Sequence, residues 1–324
     1  MAVNVTFIIG NGLDLSLNLE TKYEDFYKFV KTNVLHPENR IYGEINNDPK
    51  TWSDFETALG QYTFGLKNLP ADKKKQATLT LHEELDEIRK DLAQYLLEQE
   101  AINNELPDKY KFRFTASGFY EELSPELRDI ITSYLSDKPV YINFITLNYT
   151  DTLEKIINGV EINPNYGYRF RQPQHIHGNL YEDLTLGVSD ESQLYDGMPQ
   201  QEKDDLIKEA LIASRYDGSL KKLSTTITAS SLIVFYGTSI GSTDKYIWEQ
   251  IINWLFARKG HIIIHRYDDT FLDSVRLSRR NHNDYIRKAQ NSLLDHADLS
   301  EEQKNSVRPQ IFVIHNTTKL FTGD

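Results

Sequence analysis

The chain has 324 residues with 36 basic against 48 acidic side chains, a net charge of −12, so its mean field repels nucleic-acid backbones and anionic membranes. It contains no cysteine, which excludes disulfides, thiolate zinc sites and a cysteine nucleophile, while 39% hydrophobic residues with 19 Tyr and 15 Phe suffice for a substantial core. Residues 1–6 lack the basic stretch of a secretory signal and no apolar run approaches the roughly 20 residues of a membrane span, so a cytoplasmic protein with no membrane partner is expected.

Val3 to Ile9 is β-rich and almost wholly apolar, the pattern of a central parallel strand buried on both faces, and it stops at Gly10-Asn11-Gly12. Thr21 to Glu24 has the form of a capping box, and Tyr23, Phe26, Tyr27 and Val30 follow at helical spacing. Residues 34–137 then read as a helical insertion beside the sheet. Within it lie a second capping box from Ser53 to Glu56, the stripe Leu81, Leu85, Ile88, Leu92 and Leu96, and a helix opened by Ser124-Pro125. Strand signals return at 140–146, near Ile176, and at 184–188, 232–236, 262–266 and 311–314. Between the later ones, Ile247, Ile251, Trp254 and Leu255 mark a helix that Gly260 is expected to stop. The polar stretch 189–230 reads as a second, smaller, mainly helical excursion. Strands alternating with helices predict a doubly wound, mostly parallel α/β sheet, with residues 1–324 forming one domain.

In such a sheet ligands sit outside the carboxyl ends of the strands, which makes four segments candidates. Gly10, Asn11 and Gly12 would let backbone N–H groups approach a phosphate or ribose, and Asp14 would hold a ribose hydroxyl. The dinucleotide pattern G-x-G-x-x-G fails here, since Leu15 occupies its third glycine position. Asn148 follows a strand, and its carboxamide can both donate and accept, as orienting a water or a sugar hydroxyl requires. In His175-Ile176-His177-Gly178 an extended backbone would put both imidazoles on one face, His177 would serve as a base near neutral pH, and Gly178 would leave room for a ligand beside it. Gly237, Ser239 and Asp244 leave another apolar strand and would contact a nucleotide's sugar and phosphates; Ser242 or Thr243 capping the next helix is the plainer reading. Glu56 reads most simply as a capping acid, with Asp54 free to face a pocket. His175 and His177 are also a metal-ligand spacing, but no carboxylate stands at a suggestive distance in sequence, and no metal is expected.

Together these segments resemble the AbiH family of bacterial abortive-infection proteins. The resemblance is carried by the run Phe7 to Leu15, by Thr21 to Phe26, by Trp52-Ser53-Asp54-Phe55-Glu56, by Asn148-Tyr149-Thr150-Asp151 and by His175-Ile176-His177-Gly178. More distantly, the order Gly-loop, Asn-Tyr, His-Gly, Gly-x-Ser resembles sirtuin-like NAD-cleaving domains of anti-phage systems. That resemblance implies a Rossmann-like fold with NAD as substrate or ligand and with Asn148 and His177 at the positions of the catalytic pair. Asn11 and Asp14 depart from the Ala and Ser of the sirtuin-like loop, and Thr150 replaces an acid. The missing zinc cysteines argue against deacetylation. The leading expectation is therefore an NAD glycohydrolase of abortive infection. A non-catalytic nucleotide-binding sensor and a metal-dependent hydrolase of nucleotides or nucleic acid, acting through His175 and His177, are the alternatives. The partners implied are a small nucleotide and, from the resemblance, a homo-oligomer or a phage-derived activator, with nucleic acid disfavoured by the charge.

Overall fold

The computed structural model describes residues 2–33, 35–47, 55–102, 120–136, 138–158, 168–215, 218–267 and 279–315. The first half of the chain runs β1 (Val3–Ile9), α1 (Gly12–Ser16), α2 (Tyr23–Asn33), α3 (Arg40–Asn47), α4 (Phe55–Leu66), α5 (Ala71–Ile102), α6 (Pro125–Leu135), β2 (Val140–Thr146) and α7 (Thr152–Asn158). Then come β3 (Tyr168–Phe170), β4 (Gln174–His175), α8 (Gln200–Asp204), α9 (Lys208–Ser214), α10 (Ser219–Ala229) and β5 (Leu232–Tyr236). The chain closes with α11 (Lys245–Arg258), β6 (His261–Arg266), α12 (Arg279–Leu294), α13 (Glu301–Val307) and β7 (Ile311–His315). Two compact units share these elements: Met1–Leu13, Asn104–His175 and Lys221–Asp324 form the first, Asp14–Asn103 and Ile176–Leu220 the second. Among the described residues no helix is long and apolar enough to cross a membrane.

The first unit is built on a parallel sheet in the order β3-β2-β1-β5-β6-β7, with β4 also paired to β2. This is the Rossmann-like α/β arrangement that the alternation of strands and helices predicted. β1 lies at the centre, and all of it but Asn4 is buried, which is why five of its seven residues, Val3, Val5, Phe7, Ile8 and Ile9, are apolar. The one buried polar residue of β1, Thr6, hydrogen-bonds the Ser230 hydroxyl at 2.6 Å; because Ser230 itself donates to the Thr226 carbonyl, Thr6 is the donor. The chain builds outward from β1 to β2 and β3, then returns to the other side for β5, β6 and β7. The reversal falls between β1 and β5, the switch point beside which α/β sheets bind ligands.

Three details differ from expectation. The segment 184–188 is buried but, among the described residues, forms a single bridge, Val188 to Ile207, in the second unit. β3 escapes the sequence reading because it is only three residues long, too short for its Tyr168-Arg169-Phe170 alternation to register as a strand. Helix α11 does end before Gly260, but the left-handed residue is Lys259, at φ 50°; Gly260 is needed because a side chain there would strike the Trp254 ring. The α6 start is as read, with Ser124 at the cap and Pro125 in the first turn. Trp52, Ser53 and Asp54 lie outside the described residues.

In the second unit the predicted stripe Leu81, Leu85, Ile88, Leu92 and Leu96 is buried along α5. An aromatic group of Phe26, Tyr27, Tyr42 and Tyr95 packs beside it, and the Tyr42 hydroxyl donates to Asp91 at 2.9 Å. Glu56 is more than a helix-start acid. Its carboxylate receives the Lys208 ammonium at 3.0 Å and the Tyr23 hydroxyl at 3.3 Å, and the two charged side chains are only 8% and 2% exposed. An ion pair so enclosed makes either partner costly to remove alone. Lys208→Met is expected to destabilise the chain by about 3 kcal/mol, and pairing it with Glu56→Leu to recover most of that, read as urea-unfolding midpoints.

Candidate functional site

Strands β2, β1 and β5 end in register, with Ile9 opposite both Thr146 and Tyr236, so the loops starting at Gly10, Leu147 and Gly237 leave the sheet at one level. The Gly10 amide donates to the Tyr236 carbonyl at 3.1 Å, Leu147 to Ile9 at 2.9 Å, and Gly12 to Gly237 at 2.7 Å. The glycines are there because the β1 and β5 loops cross in backbone contact. A Cβ on Gly12 would lie 2.5 Å from the Gly237 Cα, one on Gly10 2.7 Å from the Gly237 oxygen, and one on Gly237 2.6 Å from the Leu13 nitrogen. Gly237 also sits at φ +63°, where a side chain is strained. The space that a side chain would take at Gly10 and Gly12 is thus occupied by the neighbouring loop.

Asn148 is buried at this edge. Its amide donates to the Thr146 hydroxyl at 3.1 Å, and its side-chain Nδ2 donates to the Gly10 carbonyl at 3.2 Å, tying the β2 loop to the β1 loop. Its own carbonyl accepts from His175 Nδ1 at 2.9 Å, and His175 Nε2 meets Glu154 Oε1 at 2.7 Å. Burial pulls the His175 imidazole down, but the Glu154 hydrogen bond and charge, the Asn148 carbonyl and the Asp151 charge together hold it above its ordinary value. Asp151, Glu154 and His175 bring one donor atom each within 4.8 Å of one another, so the carboxylates that sequence spacing did not reveal come from just before α7 and from its first turn. Both nitrogens of His175 are engaged, Nδ1 by the Asn148 carbonyl and Nε2 by the Glu154 carboxylate.

Of the predicted β5-loop residues, Gly237 is in the loop crossing, Ser239 is exposed and Asp244 is buried at the start of α11. Two residues that sequence reasoning missed fix this loop: the Trp248 indole donates to the Gly241 carbonyl at 2.7 Å, and His296 Nε2 to the Ile240 carbonyl at 3.2 Å. A signal existed for Trp248, since a buried indole N–H must find an acceptor. None existed for His296.

Asp14 and His177 belong to the second unit and both are buried. β4 ends at His175 and the backbone turns through 176–177, so strand alternation does not extend to His177 as expected. Gly178, at φ +82°, is needed because the Asp183 carbonyl packs where its side chain would be. The His177 carbonyl accepts from Thr185 N at 2.8 Å. The Arg215 guanidinium, which sequence reasoning passed over as one charge in a polar stretch, closes this turn by donating to the carbonyls of Ile176 at 3.3 Å and Asp183 at 2.7 Å and to the Thr185 hydroxyl.

A family model described as bacteriophage abortive infection AbiH matches residues 6–265, which takes in the loops after β1, β2, β4 and β5. No curated protein matches the chain. Gly237→Ala is expected to cost about 2–3 kcal/mol through left-handed strain and overpacking at the loop crossing. Gly241→Ala, whose Cβ would meet nothing within 4 Å, is the near-neutral control in the same thermal or urea unfolding measurement.

Proposed function

Because the chain belongs to the AbiH family of bacteriophage abortive-infection proteins, its role is anti-phage abortive infection, and we propose that it performs that role as an NAD glycohydrolase. The observation that carries this reading is the placement of Asn148: a buried carboxamide beside the β1–β5 switch point, held by its nitrogen to the Gly10 carbonyl. Anchoring by Nδ2 fixes the plane of the amide and leaves Oδ1 as the atom to accept from a ribose hydroxyl or a water.

In the reaction the C1′–N bond of the nicotinamide riboside breaks and both its electrons leave with neutral nicotinamide. A water oxygen bonds C1′, and the water's proton passes to the base. Asn148 orients the water or the ribose, and His177 is the base, as its position in the sirtuin-like order implies. Nicotinamide needs no proton to depart, so one base and one orienting amide supply the chemistry. The products are ADP-ribose, nicotinamide and a proton.

The test is NAD content in phage-infected cells carrying the wild-type chain, Asn148→Ala or His177→Ala, together with product analysis of the purified proteins. The expected outcome is NAD loss with the wild type and at least a hundredfold slower cleavage in each variant. Undiminished NAD in infected cells and with purified protein overturns the reading. NAD that raises the thermal midpoint without yielding product makes the chain a nucleotide sensor instead.

A further inference from the structure

The two histidines of the His-x-His segment are held differently, and the difference divides their roles. The β2–β4 register sets His175 beside Thr146, two residues before Asn148, with its side chain 8% exposed. Its Nδ1 lies 2.9 Å from a backbone carbonyl and its Nε2 2.7 Å from a carboxylate oxygen. A carbonyl and an ionised carboxylate can only accept, so each ring nitrogen must carry a hydrogen. A ring with two N–H groups has no lone pair for taking a proton or binding a metal ion.

We propose that His175 is a positioning residue: as a two-donor ring it ties the Asn148 peptide to Glu154 and so sets the Asn148 carboxamide against Gly10. The base of the pair is then His177, which rests on the glycohydrolase reading above, whereas the state of the His175 ring does not. Glu154 supports the assignment from its own side. Its second oxygen, Oε2, is buried with no hydrogen-bond partner among the described residues, so the carboxylate depends on the cation facing Oε1. The charged groups acting on the ring are Glu154 in α7 and Asp151 just before it, both of which favour the protonated form, while β2 presents the neutral Thr146. The sign of the pH dependence follows. With its folded value raised, the ring contributes stability that is fully present below the ordinary imidazole range and is lost as pH rises through the folded value.

The experiment uses the full chain labelled with ¹⁵N in its nine histidines, with His175 assigned through His175→Gln. Ring-nitrogen shifts at neutral pH are expected to show both nitrogens of His175 protonated, and Glu154→Gln to lower its titration midpoint. The wild type is also expected to lose stability on the alkaline side of that midpoint, a loss absent in His175→Gln. If NAD is cleaved, His175→Gln should reduce kcat roughly ten- to hundredfold with little change in KM, because a displaced amide rather than a lost contact is the cause. A neutral His175 ring in the wild type, or a stoichiometric metal bound through it, overturns the proposal. A doubly protonated ring without NAD turnover sinks the glycohydrolase reading and leaves this one standing; turnover with a neutral ring does the reverse.

Discussion

The loops leaving β1 and β5 cross with their backbones in contact, and the geometry of the whole carboxyl edge follows from that crossing. It requires three glycines, Gly10, Gly12 and Gly237, because a methyl group on any of them would fall within 2.7 Å of the other loop or its continuation. The amide of Gly12 and the carbonyl of Gly237 close the contact at 2.7 Å. Once the two loops are locked, the Gly10 carbonyl has a fixed direction, and the Asn148 side chain, arriving from β2, takes its own orientation from that carbonyl. His175 and Glu154 then hold the same asparagine from its backbone side. A single polar residue is thereby clamped through both its side chain and its peptide, which suits a group whose task is to orient rather than to react.

The sheet was legible in the sequence because burial of a strand demands a largely apolar, β-rich run, and β1, β2, β5, β6 and β7 all display one. What escaped was whatever depended on partners distant in sequence. Glu56 looked like a capping acid because Ser53 stands three residues before it; its pairing with Lys208 leaves no trace in local pattern. The segment 184–188 has the composition of a strand, yet composition could not reveal that its neighbour would be the short 206–208 turn rather than a sheet edge. Glycine was ambiguous in the same way. Each of Gly10, Gly12, Gly178 and Gly237 marks a close approach, and the sequence cannot say whether a ligand or another stretch of backbone is doing the approaching.

The candidate site shows the same division. Asn148 and the glycine loop could be named from their positions after strands, since topology alone brings strand ends together. The carboxylates beside His175 could not, because they reach it only when the first turn of α7 folds back alongside β4. Expecting His175 and His177 to share a face assumed an extended backbone through 177, whereas β4 ends two residues earlier, at His175. The two imidazoles consequently have unlike surroundings: one bridges a carbonyl and a carboxylate, and the other sits in a turn closed by Arg215 and Thr185.

The order in which the sheet is threaded sets when, during synthesis, the β1–β5 loop crossing can form. Thr6 and Ser230, which bond across the base of β1, are 224 positions apart, and β5 follows directly after Ser230. At about 5–20 residues per second, a ribosome that has made β1 needs roughly ten to forty-five seconds more before it emits the strand that completes the switch point. Until then the glycine loop has nothing to cross and Gly10 has no fixed carbonyl to offer. A chain that stops short of β5 therefore lacks the loop crossing, and with it the fixed carbonyl from which Asn148 takes its direction.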